Sequence, residues 1–146
     1  MKPIENQIKE AERYLSNAKQ ILSEKAGKEG YFYSDPKYVK MAGNTAWNGV
    51  LVALDAILDV RANLKKGARP DVVDYQKALL AKDKKIYPYF TSAYDTLHKS
   101  MGYDGILKYK IVQSGMEDAN IIISWALKHY KEEPRITAFD KVLTVQ

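Results

Sequence analysis

Apolar residues recur at steps of three and four positions over most of this 146-residue chain. That spacing places them on one face of an α-helix, and no stretch shows the sustained alternation of a half-buried strand. The first segment, residues 3–26, is the clearest case, because glutamate, lysine and glutamine fill its opposite face. Its apolar positions are Ile4, Ile8, Ala11, Leu15, Ala18 and Leu22. The periodicity predicts an all-α protein, an up-and-down bundle of about five helices of which three are long.

The second helix is predicted to be the central one, because its apolar stripe is wide enough to be buried on more than one side. Asp35 can act as its N-cap and Pro36 as its first residue. We expect it to extend to Lys66, with Gly67 as its C-cap. The aromatic run 31–33, in the loop before this helix, is expected to fold back on the bundle.

Small residues recur along the second helix at helical spacing. They are Gly43, Ala46, Gly49 and Ala53. A glycine inside a helix costs about 1 kcal/mol of helix propensity, and close packing of a neighbouring helix is the expected compensation. This small-residue seam is one reason to expect a binding module that forms a homodimer.

Three further helices are predicted over residues 70–80, 83–101 and 107–130. Residues 1–133 then form a single helical-bundle domain. Residues 134–146 form a C-terminal tail that packs on the bundle or on a partner.

The composition is that of a soluble globular protein. The chain is 46% hydrophobic and 28% charged, and it has no cysteine. The lack of cysteine excludes a disulfide framework and thiolate metal sites, and it fits a reducing compartment. The first residues lack the apolar segment of a secretory signal, and the longest strongly apolar run, residues 49–58, is shorter than the roughly 20 residues that span a bilayer. We therefore expect a cytoplasmic protein that does not contact membranes.

The net charge of +5 comes from lysines that are spread over several segments. An RNA-binding surface would concentrate arginines and aromatic residues on one face. The four arginines are scattered, at Arg13, Arg61, Arg69 and Arg135. The charge favours a solvated surface over a patch for nucleic acid or an acidic partner.

The stretch YDTLHKSMGYDG, residues 94–105, combines two carboxylates, an imidazole and two tyrosines within one short segment. One interpretation of it is structural. Gly102 would end a helix in the left-handed conformation, Tyr103 would pack on the end of the bundle, and Asp104 would cap the next helix. His98, in the last turn, would lie favourably against the helix dipole.

The other interpretation is a ligand pocket in which Tyr94, His98 and Tyr103 converge with Trp47. Asp55 lies within the most apolar part of the chain. It is expected either at a narrow solvent edge or as a partly buried charge paired with a lysine, arginine or tyrosine, and a paired buried carboxylate is a candidate binding group. The candidate ligand-binding residues are Trp47, Asp55, Tyr94, Asp95, His98, Tyr103 and Asp104.

The sequence argues against a reaction centre. A di-iron site in a bundle core needs Glu-x-x-His pairs on two helices, and neither His98 nor His129 follows a glutamate at that spacing. The serine, threonine, histidine and aspartate side chains of residues 91–100 share one helix, which points neighbours in different directions. No phosphate loop or dinucleotide fingerprint occurs. We predict no catalytic residue, no metal site and no cofactor.

Four segments of the sequence resemble those of a known family: EAERYLSNAKQIL, YVKMAGNTAWNGVLVALDAIL, AYDTLHKSMGYDG and GMEDANIIISWAL. Over residues 3–131 their succession resembles an uncharacterised bacterial family of small five-helix bundles, which is itself similar to HEPN domains. The resemblance implies a bundle that often pairs with a second copy. Catalytic HEPN relatives carry an arginine followed after four to six residues by a histidine, which forms a ribonuclease site at the dimer seam. Neither His98 nor His129 is preceded by an arginine at that spacing, so the resemblance implies binding or assembly without RNA cleavage.

These observations lead to three hypotheses of different kinds. The leading one is a HEPN-like, non-catalytic binding or assembly module that forms a homodimer. The alternative is a nucleic-acid- or nucleotide-binding helper that uses Asp95, His98, Tyr103 and Asp104 near a basic rim. A third is an antitoxin-like partner of another protein.

Overall fold

The computed structural model describes residues 3–62 and 64–132 and confirms an all-α bundle. The five helices are α1 (Pro3–Glu24), α2 (Pro36–Ile57), α3 (Val72–Lys82), α4 (Tyr87–Ala93) and α5 (Tyr109–Glu132). Helix α4 continues directly into a π-helical segment, Tyr94–Tyr103. Between α1 and α2, the strands β1 (Lys28–Glu29) and β2 (Phe32–Tyr33) form a small antiparallel hairpin. The predicted tail, residues 134–146, lies outside the described residues.

Helix α2 is the central element, because it packs against α1, α5 and the π-helical segment. Its start is as predicted: the Asp35 side chain accepts a hydrogen bond from the backbone N–H of Lys37, and Pro36 occupies the first turn. Its apolar stripe is buried on several sides, and Val39, Val50 and Leu54 are fully buried.

The prediction that α2 extends to Lys66 is wrong, because the helix ends at Ile57. Leu58 adopts an extended conformation, and Leu58 and Val60 are buried while Asp59 between them is exposed. Alternate burial of successive side chains is the pattern of an extended chain. Leu58 and Val60 can therefore both be buried in the core only if the helix ends before them. Gly67 does have a positive φ of 84°, but in a turn of the following loop.

Helix α3 begins at Val72, two residues after the predicted start at Pro70. Asp71 and Asp74 form a capping box there: each carboxylate accepts a hydrogen bond from the backbone N–H of the other residue, at 3.1 and 2.8 Å. This reciprocal bonding satisfies two amide groups at the helix start that no carbonyl of the helix can reach.

The aromatic run 31–33 is only partly folded back, contrary to the prediction. Tyr33 is buried, whereas Tyr31 and Phe32 are 75% and 52% exposed. The cause is the two-residue turn of the hairpin. Its first central residue, Gly30, has a φ of 62°. Glycine is preferred at the first central position of a two-residue type II′ turn, and such a turn pairs β1 with β2 so that successive side chains face opposite sides.

The small-residue seam of α2 is filled by the chain itself. A Cβ atom on Gly43 would lie 2.6 Å from the carbonyl oxygen of Leu97 and 2.6 Å from Cβ of Met101. A Cβ atom on Gly49 would lie 3.0 Å from Cβ of Tyr14 in α1. The seam therefore admits α1 and the π-helical segment, and it does not provide the surface for a second copy that the sequence suggested.

A buried carboxylate lies between α4 and α5. Asp118 is 8% exposed, and its Oδ2 accepts a hydrogen bond of 2.6 Å from the Ser92 hydroxyl. Burial raises the pKa of Asp118, the hydrogen bond from Ser92 lowers it in part, and the nearby charge of Glu117 raises it further. The folded protein thus favours the protonated form of this carboxyl more than the unfolded chain does.

We expect Gly43→Ala to lower the free energy of unfolding by about 2 kcal/mol, because the added methyl group overpacks the contact with the π-helical segment. Urea denaturation followed by circular dichroism measures this change. Asn48→Ala, at an exposed position of the same helix, is the control and should change stability by less than about 0.5 kcal/mol. A Gly43→Ala variant that is more stable than the wild type, as helix propensity alone predicts, would contradict the close contact.

The raised pKa of Asp118 leads to a prediction about how the stability of the protein depends on pH. Between the ordinary value of 3.8 and the raised folded-state value, the folded state binds more protons than the unfolded chain, so the carboxyl reduces stability as pH rises through that window. Asp118→Asn should therefore be at least as stable as the wild type at pH 7. Its advantage should shrink as pH is lowered toward 4, as measured by urea denaturation at each pH. An advantage that grows on acidification would mean that the carboxylate form stabilises the bundle.

Candidate functional site

Three of the predicted site residues converge where the π-helical segment crosses α2. The ring centroid of Trp47 lies 5.7 Å from that of Tyr94 and 5.8 Å from that of His98. Tyr94 and His98 stack on each other at 5.5 Å, with 18° between their planes. Trp47 is buried, Tyr94 is half-buried and His98 is exposed, so the rings step from the core to the surface. π-helical turns are rare and occur frequently at functional sites.

The ring contacts of Trp47, Tyr94 and His98 continue from Trp47 toward Asp55. The Trp47 ring lies 5.4 Å from Phe90, and Phe90 lies 5.8 Å from Tyr75 of α3. The Tyr75 hydroxyl donates a 2.7 Å hydrogen bond to Oδ1 of Asp55. Burial raises the pKa of Tyr75 well above its usual range, and the hydrogen bond to Asp55 and the charge of that carboxylate raise it further. The phenol therefore remains a donor at all ordinary pH values.

Asp55 thus has the tyrosine partner that was one of the predicted alternatives. Its carboxylate is exposed while its partner Tyr75 is buried, so the pair joins α2 to α3 at the edge of the core. A hydrogen bond to a charged group contributes roughly 1.5–3 kcal/mol, less where water competes for the carboxylate. The bond has a structural role, and a binding role for Asp55 stays a prediction.

Asp95 pairs with the residue one turn ahead. Its carboxylate lies 3.6 Å from Nζ of Lys99, and that ammonium group lies 4.7 Å from the ring centroid of Tyr94. Both Asp95 and Lys99 are exposed, so the ion pair contributes little to stability. The outer face of the π-helical segment therefore displays a carboxylate, an ammonium group and the His98 ring together.

The structural interpretation of residues 102–104 is wrong in its details. Gly102 lies inside the π-helical segment, where the Asn44 side chain donates a 3.4 Å hydrogen bond to its carbonyl oxygen. Gly105, with a φ of 65°, is the residue that takes the left-handed conformation. Tyr103 is 81% exposed rather than packed on the bundle, and Asp104 lies five residues before α5 starts, too far to cap it.

Sequence reasoning missed an exposed aromatic surface at this end of the molecule. The backbone N–H of Tyr109 donates to the carbonyl of Tyr31, and that of Tyr33 donates to the carbonyl of Leu107, at 2.9 and 2.8 Å. These bonds fasten the hairpin to the segment that follows Tyr103. The π-helical segment ends at Tyr103 and α5 starts at Tyr109, so Tyr103 lies at the same end of the bundle as the hairpin. We call Tyr31, Phe32 and Tyr103 the aromatic end. The run of three aromatic residues was the available signal, but its orientation depends on the turn at Gly30.

Three clefts among the described residues lie away from the predicted site. Their volumes are about 230, 350 and 420 Å³, and they have no lining residue in common with that site. Over the described ranges, no group of three or more histidine, aspartate or glutamate side chains is placed to hold a metal ion. None of the helices within those ranges combines the length and apolarity that a membrane span requires.

Comparison with known proteins gives a family but no activity. No curated protein matches the sequence. A solved structure of a protein of unknown function from Dyadobacter fermentans is 45% identical, covers 88% of this chain and 99% of its own, and superposes with a TM-score of 0.78. The family model described as a domain of unknown function, DUF5618, matches residues 6–128. The chain therefore belongs to the DUF5618 family.

Proposed function

We propose that this protein is a non-catalytic binding and assembly module of HEPN-like type that pairs with a second copy through its aromatic end. The observation that carries the proposal is the exposure of three aromatic side chains, Tyr31, Phe32 and Tyr103, of which the most exposed reaches 81%. Exposed aromatic residues grouped at one place mark interaction surfaces far more often than scattered single ones do. The five-helix bundle supports the HEPN-like part of the proposal.

The charges around the aromatic end support a second copy as the partner. A two-fold interface brings the same surface together twice, so it must be self-complementary. Lys40 and Lys108 supply cations on this end, and Glu29 and Asp104 supply carboxylates, all on exposed residues. Such a surface can place opposite charges across a two-fold axis, with the aromatic rings at its centre.

The absence of catalysis remains part of the proposal. The exposed groups of the π-helical segment include His98 and the Asp95–Lys99 pair, but Asp95 is bonded to Lys99 rather than aligned as a partner for the imidazole. A histidine that acts as a general acid or base must lie within hydrogen-bond reach of the proton that it transfers, and none of the three clefts described above includes His98.

We expect the wild-type protein to show concentration-dependent dimerisation in sedimentation velocity and light scattering. The double variant Tyr31→Ser, Phe32→Ser should raise the dimer dissociation constant at least about tenfold, since a few aromatic residues carry most of the energy of an interface. The control is Val73→Ser, Leu80→Ser on α3, which removes two other exposed apolar side chains, 51% and 45% exposed, and should leave dimerisation unchanged. Thermal melts check that both variants stay folded. A wild-type protein that is monomeric at about 100 μM would contradict the proposal.

A second candidate function is a nucleic-acid-binding helper, and one observation favours it. Lys99 lies over the Tyr94 ring of the Tyr94–His98 stack, and the Tyr103 ring on the same segment is exposed. Proteins that bind single strands combine aromatic platforms for the bases with cations for the phosphates.

If the second function is correct, fluorescence anisotropy should detect binding of a single-stranded RNA oligonucleotide that weakens with salt. His98→Ala should lower the affinity without loss of helicity, because it removes one face of the stack. Binding that is absent at low salt would eliminate this candidate and leave the assembly proposal untouched.

A further inference from the structure

The cleft of about 350 Å³ lies between α1, α5 and the hairpin, on the side of β1 and β2 away from Phe32. Leu22 of α1 and Met116 of α5, both nearly completely buried, form its apolar floor. Its volume is at the lower end of the range for small-molecule pockets, about 300–1,000 Å³. It therefore has room for a small organic molecule.

The hairpin supplies one wall of this cleft through a cross-strand pair. Lys28 and Tyr33 are directly opposite each other in the ladder, so their side chains point to the same face of the hairpin. Nζ of Lys28 lies 3.7 Å from the ring centroid of Tyr109, and the Tyr33 and Tyr109 rings lie 5.5 Å apart. The ammonium group is thus held at the mouth of the cleft by an aromatic ring rather than by a carboxylate.

A buried phenol completes the wall. Tyr33 is 5% exposed, and its hydroxyl oxygen accepts a 2.8 Å hydrogen bond from Nε2 of Gln113. Burial raises the pKa of Tyr33, an effect that the Gln113 bond offsets in part and the neighbouring Tyr109 reinforces. The phenol stays protonated, and because Gln113 acts as the donor in their bond, the phenolic proton is left to be donated to another acceptor.

The charge of the lining has one sign. Lys19 and Lys28 are its charged residues, and neither aspartate nor glutamate occurs among the residues that line the cleft. Cations above an apolar floor, with a phenol donor beside them, are complementary to an anionic group attached to an apolar body.

From this geometry we propose that the hairpin cleft binds a small organic anion, with a phosphate or carboxylate near Lys19 and Lys28 and an apolar ring against Leu22 and Met116. This inference goes beyond assembly through the aromatic end and does not depend on it. The experiment for the cleft measures ligand affinity, whereas the experiment for assembly measures molecular mass. Either proposal can therefore be contradicted while the other stands.

Four probes separate the parts of the proposed ligand. Phenyl phosphate and benzoate carry both a ring and an anionic group, inorganic phosphate carries only the charge, and phenol carries only the ring. Titrations followed by amide chemical shifts in NMR spectra give a dissociation constant for each. We expect phenyl phosphate or benzoate to bind at least about tenfold more tightly than both single-feature probes, with the shift changes centred on the hairpin and α5.

Variants then test the two cations separately. Lys28→Met and Lys19→Met should each weaken binding of the preferred probe about tenfold, because each removes a charge-assisted contact while keeping an unbranched apolar side chain. Lys28→Arg should retain binding, and Lys65→Met, at an exposed lysine outside the cleft, should not change it. Both cleft lysines are exposed and lie on separate elements, so loss of folding in one variant would leave the other as a test.

Several results would overturn the inference. One is the absence of shift changes with either ring-bearing anion at about 10 mM. Another is inorganic phosphate or phenol binding as tightly as the combined probes, which would mean that charge or ring alone is recognised. A third is equal affinity in the wild type and both methionine variants.

Discussion

The close contact between α2 and the π-helical segment is the feature on which the rest of the structure depends. Gly43 lets the backbone of this segment approach α2 more closely than any side chain would permit. Trp47, one turn further along α2, then meets Tyr94 and His98 at ring-stacking distance. The same approach brings Gly102 next to Asn44, whose side chain donates a hydrogen bond to the Gly102 carbonyl one residue before the segment ends. A backbone contact without a side chain thereby positions Tyr94 and His98 against Trp47.

Local signals predict the parts of the fold that depend on local interactions. The cap at Asp35 and the apolar spacing of α1 need no distant partner, and the structure confirms both predictions. The end of α2 depends instead on burial of Leu58 and Val60, which tertiary packing decides. The π-helical conformation could not be predicted from the sequence either. The apolar positions of this segment have ordinary helical spacing, and its widened turns accompany contacts with α2 and α5.

The candidate site was predictable to the same limited extent. Tyr94 and His98 are four residues apart, so any helical conformation places them on one face. The sequence could not distinguish the roles of Gly102 and Gly105, since either glycine can adopt a positive φ. In the structure Gly102 packs against α2 inside the π-helical segment, and Gly105 is the residue with a positive φ. Asp118 lies at helical spacing from the buried Gly115 and Ile122, but its partner, the Ser92 hydroxyl, belongs to another helix and could not be identified from the sequence.

The two proposed binding surfaces share the hairpin, because the cleft uses its inner face and the aromatic end includes its outer face. Lys28 and Tyr33 face the cleft, whereas Phe32, between Tyr33 and the turn, faces outward. Two strands of two residues each form a marginal hairpin, which here relies on its bonds to Leu107 and Tyr109 for its conformation. An anion that ordered the inner face would lower the conformational entropy that a second copy would have to remove from the outer face. Linkage makes the effect reciprocal: any factor by which an anion tightens the dimer is also the factor by which dimerisation tightens the anion.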